Sequence, residues 1–103
     1  MDTEQLQPKL VRMLEVAQEI AGTGFSITSG FRTVKENLEV GGVNGSSHLT
    51  GEAVDIACKN SMRRLRILKA LLAVGFTRIG IAPEHIHCDI SETRAQNVLW
   101  LEN

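Results

Sequence analysis

All three histidines of this 103-residue chain fall in two short segments, and each segment carries acidic residues close by. His48 lies in a polar stretch seven residues before Asp55, which sits inside the apolar run Ala53-Val54-Asp55-Ile56-Ala57-Cys58. His85 and His87 are separated by one residue, so a strand would turn both side chains to the same face. Imidazole nitrogen and carboxylate oxygen are ligands that zinc accepts, and a catalytic zinc keeps one position open for water. Two His and one Asp would leave such a site with a net charge of about +1, enough to acidify a water and polarise a carbonyl. A carboxylate in an apolar strand needs a positive partner in any case. A metal ion would supply it, and so would a structural ion pair, for which Arg32 is the obvious candidate.

Several elements must position these groups. Leu6, Leu10, Met13, Leu14, Ala17, Ile20 and Ala21 recur at three- and four-residue steps, which predicts an amphipathic helix over residues 3–21. Asp2 or Thr3 would cap it, and Gly22 and Gly24 would end it. Phe25 to Thr28 reads as a short strand. Thr33-Val34-Lys35-Glu36 has the form of a capping box, so a short helix begins there and closes at Gly41-Gly42. The Gly-, Ser- and Asn-rich segment from Gly41 to Gly51 reads as a loop. Ala53 to Cys58 reads as a central strand. Asn60 or Ser61 would cap a second long helix with Met62, Leu65, Leu68 and Leu72 as its buried stripe, ending at Gly75. Thr77 to Ala82 and His85 to Ile90 read as a hairpin turning at Pro83-Glu84. The tail from Thr93 to Leu101, with Trp100, is either a last helical turn or a docking segment. Residues 1–103 thus read as a single α+β domain, with helices packed mainly on one face of a small antiparallel sheet.

Composition narrows the function classes. The formal charge of −1 offers no basic field for a phosphate backbone, so nucleic acid is not an expected partner. Arg63-Arg64-Leu65-Arg66 falls in the helical pattern and reads as a solvated face. Cys58 and Cys88 have apolar neighbours and read as buried free thiols rather than a bridge. Aromatics are limited to Phe25, Phe31, Phe76 and Trp100, so the core must be aliphatic. The first residues are polar and acidic with no apolar segment behind them, so no secretory signal is expected. No apolar run approaches the roughly 20 residues that cross a bilayer. The expectation is a monomer made in the cytoplasm, with no membrane partner, reaching any external substrate by another route.

Ser46-Ser47-His48-Leu49-Thr50-Gly51-Glu52-Ala53-Val54-Asp55 resembles the Ser-x-His-x-x-Gly-x-Ala-x-Asp pattern of the M15 metallopeptidases. That family includes D-alanyl-D-alanine carboxypeptidases, vancomycin-resistance dipeptidases and phage endolysins, and shares its fold with the hedgehog signalling domain. Glu84-His85-Ile86-His87 is similar to the family's closing motif, and Ser29-Gly30-Phe31-Arg32 to its upstream Ser-Gly-aromatic-Arg motif. Val40-Gly41-Gly42-Val43 and Gly45-Ser46-Ser47-His48 resemble the compact branch. The resemblance implies Zn2+ held by His48, Asp55 and His87. It further implies Glu84 as general base, Arg32 as holder of a substrate carboxylate or carbonyl, and His85 as a donor to the oxyanion. Ser46 would support a ligand or cap a turn, and Asp89 would be a supporting residue. The implied substrate is a peptidoglycan stem peptide, cut by a D,D-carboxypeptidase or an L-alanyl-D-glutamate endopeptidase. The alternative within the same fold is a catalytically inactive, zinc-stabilised binding domain.

Overall fold

A computed structural model describes residues 5–42 and 45–102. Among these, α1 (Pro8–Ala21), α2 (Val34–Glu39) and α3 (Ser61–Val74) accompany five strands: β1 (Ile27–Ser29), β2 (Ala53–Ala57), β3 (Arg78–Ile81), β4 (His85–Asp89) and β5 (Val98–Leu101). A 3-10 turn spans Ser47–Thr50. The strands form one sheet in the order β1-β2-β4-β3-β5. The pairs β1–β2, β2–β4 and β3–β4 are antiparallel, while β5 runs parallel to β3. The fold is therefore α+β as expected, but its sheet is mixed rather than wholly antiparallel. The tail is not a helical turn: it docks on β3 as the edge strand β5.

Side-chain alternation gives the sheet two unlike faces. Val54, Ile56, Ile79, Ile86 and Cys88 point into the core with Leu10, Leu14, Ala17, Ile67, Ala70 and Leu71 of the two long helices. The opposite face carries Asp55, Arg78, Gly80, His85, His87 and Asp89. Cys58 and Cys88 are buried free thiols, as the sequence predicts.

α1 begins at Pro8, later than the predicted start, because proline at the first helical position fixes a helical φ and has no N–H to satisfy. The predicted caps Asp2 and Thr3 lie outside the described residues. Upstream of α1, the Gln7 N–H donates to the Gly51 carbonyl at 2.9 Å and its side chain to the Thr50 carbonyl at 3.0 Å. Gly51 has φ +72°, and its α-carbon faces the Gln5 carbonyl with no room for a side chain. The capping box at Thr33 is formed, with Thr33 and Glu36 each accepting the other's N–H. β1 lies slightly later than the predicted Phe25–Thr28.

The buried stripe of α3 is rotated from the expected one. Met62, Leu65 and Leu72 are exposed, and Ile67, Ala70 and Leu71 are buried, with Leu68 and Val74 packed at the margin. Ile67, Ala70, Leu71 and Val74 follow the i, i+3, i+4, i+7 rule on one face, and Met62, Leu65 and Leu72 fall on the opposite side of the helix. The arginines of this helix are also not a purely solvated face. Arg63 donates to Thr23 and Gly24, and Arg64 to the Pro83 carbonyl. The neighbouring leucines provide a direct check: Leu71→Ala should cost about 2–5 kcal/mol in denaturant unfolding. Leu72→Ala should stay within about 0.5 kcal/mol of the parent.

Candidate metal centre

His48 is carried by the 3-10 turn, whose start is capped by Ser46: the Ser46 Oγ accepts the His48 N–H at 3.2 Å. Ser46 is thus a cap, and the N–H it caps is that of His48. The His48 Nδ1 lies 2.7 Å from the Gly30 carbonyl, so the ring donates there and turns Nε2 toward Asp55 Oδ1 at 3.5 Å. Asp55 and His87 are direct cross-strand neighbours in the β2–β4 register. The His87 Nδ1 is 3.0 Å from Asp55 Oδ1, and its Nε2 is 2.8 Å from Asp89 Oδ2. Asp89 also accepts from Arg78 Nε at 2.7 Å and from the Ser91 N–H at 3.1 Å. Asp89 therefore holds the outer nitrogen of His87, the supporting role expected of it.

His48, Asp55 and His87 are all buried, and one ligand-capable atom from each lies within 4.8 Å of the other two. A tetrahedral ion with ligands about 2.0–2.1 Å away spaces its ligand atoms about 3.3 Å apart. The 3.5 Å and 3.0 Å separations around Asp55 Oδ1 bracket that spacing. The donor set fits a metal ion, with His48 Nε2, an Asp55 oxygen and His87 Nδ1 facing inward. A carbonyl and a carboxylate fix the two outer imidazole nitrogens.

Charge is shared tightly here. Burial by itself would raise the Asp55 carboxyl, but hydrogen bonds and positive charge from His48 and His87 outweigh it and hold Asp55 well below the usual carboxylate range. Burial opposes charging of His87, yet Asp55 and Asp89 on its two nitrogens push its pKa up to about 9. Asp89 is lowered despite burial, through His87, the Ser91 N–H and Arg78. Cys88, buried on the helix-facing side, is pushed up by burial and then by the nearby carboxylates, so it is a poor nucleophile or ligand.

The remaining predicted residues fare differently. Arg32 lines the cavity but directs its fork at protein groups: Asp55 Oδ2 at 3.3 Å, Ser29 Oγ at 2.9 Å and Asn37 Oδ1 at 3.3 Å. It thus anchors the oxygen of Asp55 turned away from His87. His85 shares the face of His87 and places Nε2 3.9 Å from Asp55 Oδ1. Glu84 is not brought to the site. It is exposed in the β3–β4 turn and does not line the cavity.

The cavity above the cluster measures about 520 Å³, and its walls include residues that sequence reasoning did not place there: Arg78, Arg94, Trp100 and Glu102. Trp100 packs against the His87 ring at 5.5 Å between centroids, with the Arg78 guanidinium 5.0 Å from the indole. Only the isolated tryptophan in the tail hinted at this wall. A family model described as Peptidase M15 matches residues 1–89, which contain both histidine segments. No curated protein sequence matches the chain.

A pH dependence follows. The His87 pKa is raised from 6.5 to about 9, so its contribution to metal-free stability is complete below pH 6.5 and lost as pH rises through about 9. Asp55 and Asp89 are lowered from 3.8, so their contribution is present above that value and lost in acid. The metal-free protein should accordingly melt highest in mildly acidic buffer and lower at pH 9. Because a metal must displace the His87 proton, metal affinity measured by chelator competition should rise roughly tenfold per pH unit and level off near pH 9.

Proposed function

The chain belongs to the M15 peptidase family, and on that premise we propose that it is a zinc-dependent peptidase acting on the stem peptides of bacterial peptidoglycan. The observation that carries this function is the buried His48–Asp55–His87 cluster at the floor of an open cavity. When bound, zinc supplies Lewis-acid polarisation of a carbonyl and activation of a water. The chain's own groups orient and exclude. Arg32 steadies Asp55, Asp89 steadies His87, and the indole of Trp100 covers one side of the His87 ring.

The charges of the cavity suit an anionic peptide. Arg32 is paired with Asp55 and Arg78 with Asp89, while Arg94 at the cavity wall has no ion pair among the described residues. Adding a divalent cation leaves the cavity cationic, which favours substrates carrying carboxylates, as wall stem peptides do. Whether the bond cut is a terminal D-alanyl-D-alanine bond or an internal L-alanyl-D-glutamate bond is read from the products.

The exposed position of Glu84 favours a second function for the same site, a zinc-stabilised binding domain without catalysis. One set of measurements separates the two. The purified protein should hold about one zinc per chain, and His48→Ala, Asp55→Ala and His87→Ala should each abolish stoichiometric binding. Chelation should lower the melting temperature, since the ion binds only the native state. Mass spectrometry of digested peptidoglycan should then show new peptide ends. Full zinc occupancy with an unchanged peptidoglycan profile would identify the binding domain instead. Full zinc retention in all three variants would remove the site itself.

A further inference from the structure

A peptidase needs a group to carry a proton from the attacking water to the leaving amine. Three carboxylates line the cavity: Asp55, Asp89 and Glu102. Asp55 belongs to the metal cluster, and Asp89 is buried and taken up by Arg78, His87 and Ser91. Glu102 remains, and the structure seats it with care. The Glu102 backbone N–H donates to the Ile81 carbonyl at 2.7 Å, extending the parallel β3–β5 pairing by one step. The Trp100 Nε1–H donates to Oε2 at 3.0 Å. The His85 Nε2 lies 2.9 Å from Oε1, and because an ionised carboxylate only accepts, that nitrogen carries the proton of the bond. The same Nε2 stands 3.9 Å from Asp55 Oδ1, so the Glu102–His85 pair borders the metal cluster.

The ground beneath this pair is bare. A Cβ at Gly80 would lie 2.7 Å from the Trp100 indole and 2.8 Å from Glu102 Oε2, so only glycine at that point of β3 lets both side chains settle. Each carboxylate oxygen accepts one N–H and keeps a further lone-pair direction for a substrate-side donor. Trp100 and Glu102 also lie past residues 1–89, the part matched by the family model.

Resting on the peptidase function proposed above, we infer that Glu102, rather than Glu84, is the catalytic carboxylate of this chain. Its Oε1 accepts a proton from the attacking water as the water oxygen bonds to the scissile carbonyl carbon. The carbon–nitrogen bond then breaks, and the same proton passes to the departing amine nitrogen. No oxidant or further reactant is required. His85 is a positioning residue, holding Oε1 at the cluster's edge through its N–H.

The test compares Glu102→Gln, Glu102→Asp and Glu84→Gln as zinc-loaded proteins, using soluble stem peptides released from purified peptidoglycan. Glu102→Gln should lower kcat at least ~100-fold while KM, zinc content and melting temperature stay near the parent's. Glu102→Asp keeps a proton acceptor and should recover part of that loss. Retention of near-parent kcat in Glu102→Gln overturns the assignment, as does a loss that follows Glu84→Gln instead. A fall accompanied by lost zinc or a lowered melting temperature in both Glu102 variants shows a structural role and overturns it equally. A parent protein that cuts no stem peptide at all removes the peptidase function first, and this assignment with it.

Discussion

A carboxylate in the middle of a small sheet cannot keep its charge without positive partners, and the partners of Asp55 fix the geometry of everything around it. Arg32 reaches Oδ2 from the connection between β1 and α2. His48 and His87 reach Oδ1 from the 3-10 turn and from β4. One buried charge therefore ties together three segments that are far apart in sequence. Without an ion, the proton that His87 holds up to about pH 9 serves as the cation between Asp55 and Asp89. A metal ion held by the same atoms would take the place of that proton as the positive partner of Asp55.

The rest of the sheet makes this arrangement affordable in so small a chain. Its strands carry aliphatic side chains on the face toward α1 and α3 and polar ones on the face toward the cavity. Because β2 and β4 are neighbours in register, Asp55 stands opposite His87, and Val54 and Ile56 stand opposite Cys88 and Ile86. The same alternation builds the centre and the core at once. A slip of one residue would bury the ligands among the helices and expose the core.

What was legible in the sequence is what local geometry dictates. His48 and Asp55 are joined by a short turn and Gly51, whose positive φ and tight approach to Gln5 leave few other paths. His85 and His87 share a face through strand alternation alone. The capping box at Thr33 and the cap at Asn60 were equally local. The features missed depend on partners distant in the chain. β5 is a strand only because β3 offers it a parallel edge, and parallel pairing leaves no hairpin signal. The face buried by α3 was ambiguous because leucines surround that helix, and only packing against α1 and the sheet selects Ile67, Ala70 and Leu71. Glu84 matched a motif by spacing, yet the turn that carries it leaves its side chain in solvent.

The two halves of the site consequently answer to different constraints. The metal cluster depends on β2, β4 and the 3-10 turn, all within the family-matched residues. The wall that closes the cavity depends on the register of β5 against β3, where Gly80 stands opposite Trp100. That pairing works because glycine leaves the indole free to lie across the strand, toward His87 on one side and Arg78 on the other. A Cβ at Gly80 would lie 2.7 Å from the indole and 2.8 Å from the Glu102 carboxylate, so any side chain there would displace this wall. The His48–Asp55–His87 cluster and the wall are therefore held by different strand pairings of this fold. The cluster draws on β2, β4 and the 3-10 turn, and the wall on β5, the edge strand that pairs parallel to its neighbour.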